Sequence, residues 1–275
     1  MIDNIRIGKN LVDLVTPKVM SILNCTPDSF YRESRIDSIS TALFHAEKHI
    51  HDGADILDIG GYSSRPGATE VSENEELKRV IPVIEAVRKS FPEILISCDT
   101  FRGKVAQEAL EVGAQIINDI SGGDIDPSIL MVVSNFQCPY ILMHSKGTPQ
   151  TMQNLTNYTA IFKEVVTYFS QKLHKLQQAG VHDVILDLGF GFAKTMEQNY
   201  ALFDHIADFH FLGRPMLIGI SRKSMIYNKL RVTPEESLNV TTVLHTKAIL
   251  AGAKILRVHD TKEAKEVIRI LGIRQ

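Results

Sequence analysis

The sequence predicts a single (β/α)8 barrel of the α/β class, the TIM-barrel architecture, and three observations carry that prediction. Eight short apolar runs alternate with longer stretches of helical period along 275 residues. Most of the runs are apolar on both faces, as parallel strands covered on both sides must be. Nearly every run ends in a polar residue, and this architecture gathers its functional side chains at the C-terminal ends of its strands. No composition shift or low-complexity linker divides the chain, so residues 1–275 are expected to form one domain. A doubly wound sheet is the other arrangement of the same alternation.

The strands are expected at residues 19–24, 54–59, 94–99, 115–118, 139–144, 184–187, 216–219 and 254–258. After the first, Ile39, Ala42, Leu43, Ala46 and Ile50 keep the spacing of one helix face. After the second, Ser72 and Glu75 form a capping-box signature ahead of Leu77, Val80, Ile81 and Ile84. Pro82 is expected to kink or restart that helix, because it lacks the N–H the ladder needs. Ile161, Val165, Phe169, Leu173 and Leu176 mark a later helix. Thr233-Pro234-Glu235-Glu236 offers an N-cap, a proline at the first helical position and a capping glutamate before Val240, Leu244, Ala248 and Ala251. Gly113, Gly180, Gly252 and Gly272 follow helical runs, where a left-handed terminating residue is wanted.

Composition narrows the function class. Thirty basic against 32 acidic residues give a net charge of −2, with no basic run, which argues against a general nucleic-acid binder. A hydrophobic fraction of 44% and a charged fraction of 23% exclude disorder, collagen and coiled coil. No stretch approaches the ~20 apolar residues of a membrane span, and the polar N-terminus is unlike a signal peptide. Cys25, Cys98 and Cys138 are widely spaced and form no Cys-x-x-Cys pattern, so they read as reduced thiols of a cytoplasmic protein, with Cys25 and Cys98 in the core. His45 and His49 share an i, i+4 spacing but lack the zinc-binding HExxH pattern and read as a solvated helix face. Gly189-Phe-Gly191-Phe-Ala-Lys194-Thr195 lacks the glycine positions of a phosphate loop, and no Gly-x-Gly-x-x-Gly follows the first strand.

The strand ends remain. They carry Asn24, Asp58-Ile-Gly-Gly61, Asp99, Asn118-Asp119, His144, Asp187, Ser221-Arg222-Lys223 and Arg257-Val-His259-Asp260. Asp, Asn and Ser commonly stand at such positions because they start turns and cap helices. Lys223, Arg257 and His259 are poor caps, so turn chemistry does not account for them. With Arg65 they bring positive charge to one end of the barrel, where the last two loops often hold phosphate. Asp99, Asn118 and Asp187 can hydrogen-bond a flat nitrogenous ring. The combination points to a phosphorylated heterocycle.

Several of these segments are familiar. Asn24-Cys-Thr-Pro-Asp-Ser-Phe30, Asp58-Ile-Gly-Gly-Tyr-Ser-Ser-Arg-Pro-Gly67, Asn118-Asp-Ile-Ser-Gly122, Met143-His144, Asp187-Leu-Gly-Phe-Gly-Phe-Ala-Lys194, Ser221-Arg-Lys223 and Arg257-Val-His259 resemble, in order, the motifs of the dihydropteroate synthase family. The resemblance implies a folate-pathway transferase that joins 6-hydroxymethyl-7,8-dihydropterin diphosphate to p-aminobenzoate with Mg²⁺, releasing pyrophosphate. It implies a cytoplasmic, sulfonamide-targeted homodimer that acts on small molecules, with no membrane or nucleic-acid partner. By the same resemblance Asp99, Asn118, Asp187 and Lys223 would hold the pterin, with Met143 and Gly219 lining its slot, and Asp99, Lys223 and Asp187 would be catalytic. Arg65, Arg257 and His259 would hold the diphosphate, and Asn24 would position the magnesium. Phe30, Ser64, Pro66, Phe192, Lys223 and Ser224 would border p-aminobenzoate. Tyr31-Arg-Glu-Ser34, Tyr62, Leu188 and Ala193 depart from the family pattern. A pterin-binding methyltransferase serving a corrinoid protein would share the barrel and the Asp/Asn contacts, but has no diphosphate to hold.

Overall fold

The computed structural model describes residues 3–25, 35–62 and 70–272. An antiparallel hairpin of β1 (Asn4–Ile7) and β2 (Asn10–Asp13) precedes eight parallel strands that close into a barrel. They are β3 (Lys18–Asn24), β4 (Ile56–Gly60), β5 (Leu95–Asp99), β6 (Ile116–Asp119), β7 (Tyr140–Met143), β8 (Val184–Asp187), β9 (Met216–Ile218) and β10 (Ile255–Val258). The last pairs with the first, which closes the ring. Around it run α1 (Arg35–His51), α2 (Glu73–Ser90), α3 (Gly103–Glu111), α4 (Ser128–Phe136), α5 (Ile161–Gln178), α6 (Met196–Asp204), α7 (Ser224–Leu230), α8 (Leu238–Leu250) and α9 (Thr261–Ile270).

Each barrel strand falls where its apolar run predicts it, and period-two alternation sorts its side chains. Residues of one parity, including Val19, Leu57, Ile96, Ile117, Leu142, Leu186, Ile218 and Leu256, are buried between strands and helices. Residues of the other parity enter the barrel. Its lower row is Met20, Ile56, Ile116, Ile141, Ile185, Leu217 and Ile255, with Leu95 packed against them. Two residues further along the same strands, the same inward parity carries Asp58, Asn118, Met143, Asp187 and Arg257.

The hairpin is a feature that the polar look of the N-terminus conceals. Ile5 and Ile7 alternate with polar neighbours before a turn at Gly8, whose φ is +59°. With Leu14 they pack against the lower row and seal that end of the barrel. Pro82 does not restart the helix. α2 runs unbroken through it, since Val80, Val83, Ile84 and Val87 bury one helix face against the sheet. That packing outweighs the hydrogen bond the proline omits.

Both predicted caps form, the first only by its serine half, since Glu75 Oε1 accepts from Arg79 at 2.9 Å instead of from the Ser72 amide. Ser72 Oγ accepts from the Glu75 amide at 3.3 Å, and Thr233 and Glu236 cap one another reciprocally at 2.9 and 3.4 Å. A short 3-10 turn, Glu235–Ser237, leads from the second box into α8. Gly113, Gly180, Gly252 and Gly272 have φ of +120°, +79°, +93° and +55°. All three cysteines are buried, and burial pushes the Cys25 and Cys138 thiols up to about 12, as inert core residues require. Among the described residues no helix is long and apolar enough to cross a membrane. Nor does any group of three or more His, Cys, Asp or Glu among them form a metal cluster. His49, expected on a solvated face, is instead half-buried and hydrogen-bonds buried Thr261 at 2.8 Å, because α1 packs beside the start of α9 there.

Candidate active site

Strand register begins the site. It sets Asp99 level with Gly60 on one side and Asn118 on the other, and Met143 level with Asp187. Asp58 lies on the inward parity two residues below Gly60, with 1% of its surface exposed. Its Oδ2 accepts from Asn118 Nδ2 at 3.0 Å and from Arg257 Nε at 2.6 Å. Arg257 Nη2 donates to Asp99 Oδ2, also at 2.6 Å. The guanidinium from β10 thus forks between carboxylates of β4 and β5. A Cβ on Gly219 would stand 3.8 Å from both Asp187 Oδ2 and Arg257 Cβ, so this glycine keeps clear the space between them.

Charge in this row is shaped by burial. Burial raises the Asp99 carboxyl to about 7, although Arg257 opposes the shift. Asp187 rises for the same reason, countered first by Lys223, while its Oδ1 accepts from the Gly189 amide at 2.8 Å. Burial lowers Lys223 to about 8 against the pull of Asp187. Arg257 also loses hydration, but its paired carboxylates outweigh that loss and hold it protonated. Two carboxyls and a lysine are therefore tuned toward neutral pH within one cleft, a frequent signature of a working site.

Lys223 enters from the turn after β9. Its Nζ donates to the carbonyl of Phe190 and lies 4.5 Å from the ring centroid of Phe192. Ser224, the next residue, opens α7. The turn after β8 that meets Lys223 is held from within by Lys194. This lysine is buried, and its Nζ donates to the carbonyls of Gly189, Phe192 and His144 at 2.8, 3.0 and 3.3 Å. At Gly189, φ is +65° and a Cβ would collide with the His144 carbonyl oxygen, so the turn requires glycine. Ala193 adopts φ +48°, a conformation glycine takes at lower cost.

The last two turns are stapled together. Arg222 forks onto Asp260 at 2.8 and 2.6 Å, and the His259 amide donates to Ser221 Oγ at 3.2 Å. His259 is exposed on the rim above Arg257, and half-buried Asn24 ends β3.

Asp99, Asn118, Met143, Asp187, Gly219, Lys223, Arg257 and Asn24 thus share one end of the barrel, with Phe192, Ser224 and His259 around them. Phe30, Ser64, Arg65 and Pro66 lie outside the described residues. Two strand-end residues are structural instead. Asp119 accepts from Ser121, Gly123 and the Tyr140 hydroxyl, and buried His144 packs edge-on against Tyr168. The sequence reading placed Asp58 in a motif but gave it no role. Its parity with Ile56 was the available signal. Lys194 and the Arg222–Asp260 pair were likewise unassigned; Asp260 is 38 residues from Arg222, and of the Lys194 partners His144 is 50 residues away.

Comparisons with known proteins agree with this geometry. The family described as pterin binding enzyme matches residues 20–259. The chain is 45% identical to the dihydropteroate synthase of Escherichia coli K12 over 262 residues, spanning 94% of this chain and 92% of that protein. The crystal structure of Yersinia pestis dihydropteroate synthase with a sulfonamide drug superposes with a TM-score of 0.91 at 38% identity, covering 98% of each chain. The Xanthomonas albilineans dihydropteroate synthase with 4-aminobenzoic acid superposes with a TM-score of 0.90 at 33% identity, over 98% of this chain and 97% of that one.

Proposed function

The chain belongs to the pterin-binding enzyme family, and we infer that it catalyses the dihydropteroate synthase reaction: 6-hydroxymethyl-7,8-dihydropterin diphosphate and p-aminobenzoate give 7,8-dihydropteroate and pyrophosphate. The observation that carries this reading is the meeting of Asp99, Asn118 and Asp187 with Arg257 and Lys223 at one end of the barrel. Oxygen acceptors suit a ring edge rich in N–H groups, and fixed cations suit a diphosphate.

The bond between the pterin methylene carbon and the diphosphate oxygen breaks, and a bond to the arylamine nitrogen forms. That nitrogen loses one proton. Negative charge grows on the leaving group, which Arg257 and His259 would stabilise, joined on the family resemblance by Arg65. Positive charge spreads into the ring, where Asp99 and Asp187 face it, and no covalent nucleophile is required. On the family resemblance Lys223 would lie between the ring slot and the p-aminobenzoate site, with Phe192 and Ser224 bordering the latter and Met143 and Gly219 lining the slot. Phe30, Ser64 and Pro66, which the resemblance assigns to the same border, lie outside the described residues.

Mg²⁺ fits the donor set as a metal that arrives with the substrate. Asn24 would contribute one neutral carboxamide oxygen, and among the described residues no group of three or more His, Cys, Asp or Glu could hold a metal ion. When bound, the metal would neutralise charge on the diphosphate while keeping most of its waters. Exposed Leu250 and Ile270, on α8 and α9, support pairing with a second copy through the last helices. Buried reduced thiols support a cytoplasmic setting. A methyltransferase acting through a corrinoid protein has no use for paired cations after β9 and β10.

Purified protein given both substrates and Mg²⁺ is expected to release pyrophosphate and form 7,8-dihydropteroate. Binding of the pterin diphosphate without pyrophosphate release would overturn the assignment.

A further inference from the structure

We propose that Asp58 is a positioning residue that selects the ring edge the site accepts, by fixing which end of the Asn118 carboxamide faces the slot. The proposal rests on the reading of the slot as a pterin site. Asp58 Oδ2 accepts from Asn118 Nδ2 at 3.0 Å. An ionised carboxylate only accepts, so the amide nitrogen must turn toward it and Oδ1 must turn away. The same Oδ2 takes Arg257 Nε at 2.6 Å, which sets the guanidinium that also reaches Asp99. One oxygen therefore fixes a neutral side chain and a cation together.

The other oxygen sharpens the point. Asp58 Oδ1 is buried and has no hydrogen-bond partner among the described residues. Leaving an acceptor in that condition opposes folding, so Asp58 is held in place by the two contacts its Oδ2 makes. Its two protein contacts are both to side chains of the site. With Asn118 fixed, Asp99, Asn118 Oδ1 and Asp187 form a row of acceptors. Such a row favours a ring edge with N–H donors over one with a carbonyl in place of the amino group, because acceptors facing that carbonyl are left unpaired.

The test compares binding of 6-hydroxymethylpterin with its analogue bearing an oxo group in place of the 2-amino group. Wild-type protein is expected to prefer the amino compound by at least about tenfold, as a lost charge-assisted hydrogen bond implies. Absence of pterin binding by the wild type would refute the functional reading on which the proposal stands, and absence of the preference would refute the acceptor row itself. In Asp58→Asn the preference should shrink about tenfold, and in an Asn118→Ala background the same change should leave it unmoved. A preference retained in Asp58→Asn, or lost equally in both backgrounds, overturns the proposal. A measurement on the unaltered protein guards against a variant that does not fold. The Asn118 side-chain amide protons should exchange slowly with solvent in nuclear magnetic resonance of the ligand-free enzyme. Fast exchange would also overturn it.

Discussion

Two rows of inward side chains lie two residues apart on the same strands and serve opposite ends. The lower row is aliphatic and is sealed by the hairpin residues Ile5, Ile7 and Leu14. The upper row carries Asp58, Asn118, Asp187 and Arg257. Below, dispersion and burial suffice, and each side chain is exchangeable for another of its size. Above, every charge needs a partner across the barrel, because an unpaired buried ion is costly. The comparison teaches that one strand can serve both stability and chemistry when period-two alternation keeps them on one face and two residues of rise keep them apart.

The division predicts where damage should appear. Arg257→Ala should have the largest effect, since it leaves two carboxylates without their cation. Breaking such a pair should cost about 3–5 kcal/mol in denaturant unfolding, and kcat/KM of the folded fraction should fall by about hundredfold or more, as loss of a charge contact to the leaving group implies. Calorimetry should show the pterin diphosphate losing more affinity than the unphosphorylated pterin. Equal losses would remove Arg257 from the diphosphate.

In the lower row, Ile185→Ala should cost about 2–5 kcal/mol in denaturant unfolding, the range for a buried isoleucine cut to a methyl. The folded fraction should keep its kcat. A fall in kcat at intact stability would break the separation between the rows.

The pH profile sharpens the upper row. Asp99, raised by burial to about 7, loses its negative charge below that pH, and with it the stabilisation of positive charge in the ring. Lys223, lowered by burial to about 8, loses its charge above that pH. The kcat/KM profile should therefore rise through pH 7 and fall above pH 8. Lys223→Arg, which stays charged, should lose the alkaline limb whatever its absolute rate. The smallest effect belongs to the turn between β8 and α6. Ala193→Gly relieves φ +48° and should raise stability by about 0.5–1 kcal/mol, read as a higher unfolding midpoint.

Strand positions, glycine terminators and both capping signatures were legible because their signals are local. Each depends on residues within a turn or two of chain. The hairpin was harder, because two four-residue strands resemble a polar leader until the barrel end supplies a surface for Ile5 and Ile7. At Pro82 a restart was excluded for the same reason: the force that keeps α2 continuous is contact with the sheet, not propensity. In the site, Asp99, Asn118, Asp187, Lys223 and Arg257 were legible from their places at strand ends. Asp119 and His144 share those places, yet they turn into hydrogen bonds and ring contacts of the scaffold.

The sequence by itself determined the barrel, the places of its strands and the set of polar residues that could reach the mouth. These follow from a period of two and from turn chemistry, and neither needs a distant partner. Only the tertiary structure decided that Arg257 binds Asp58, 199 positions away, and Asp99, 158 away. It also decided that one oxygen of Asp58 serves both Asn118 and Arg257. Closing the ring sets those separations, because pairing β10 with β3 brings the last strand beside the first. Side-chain pairing across the barrel is then a matter of a few ångströms of geometry, which spacing along the chain does not encode.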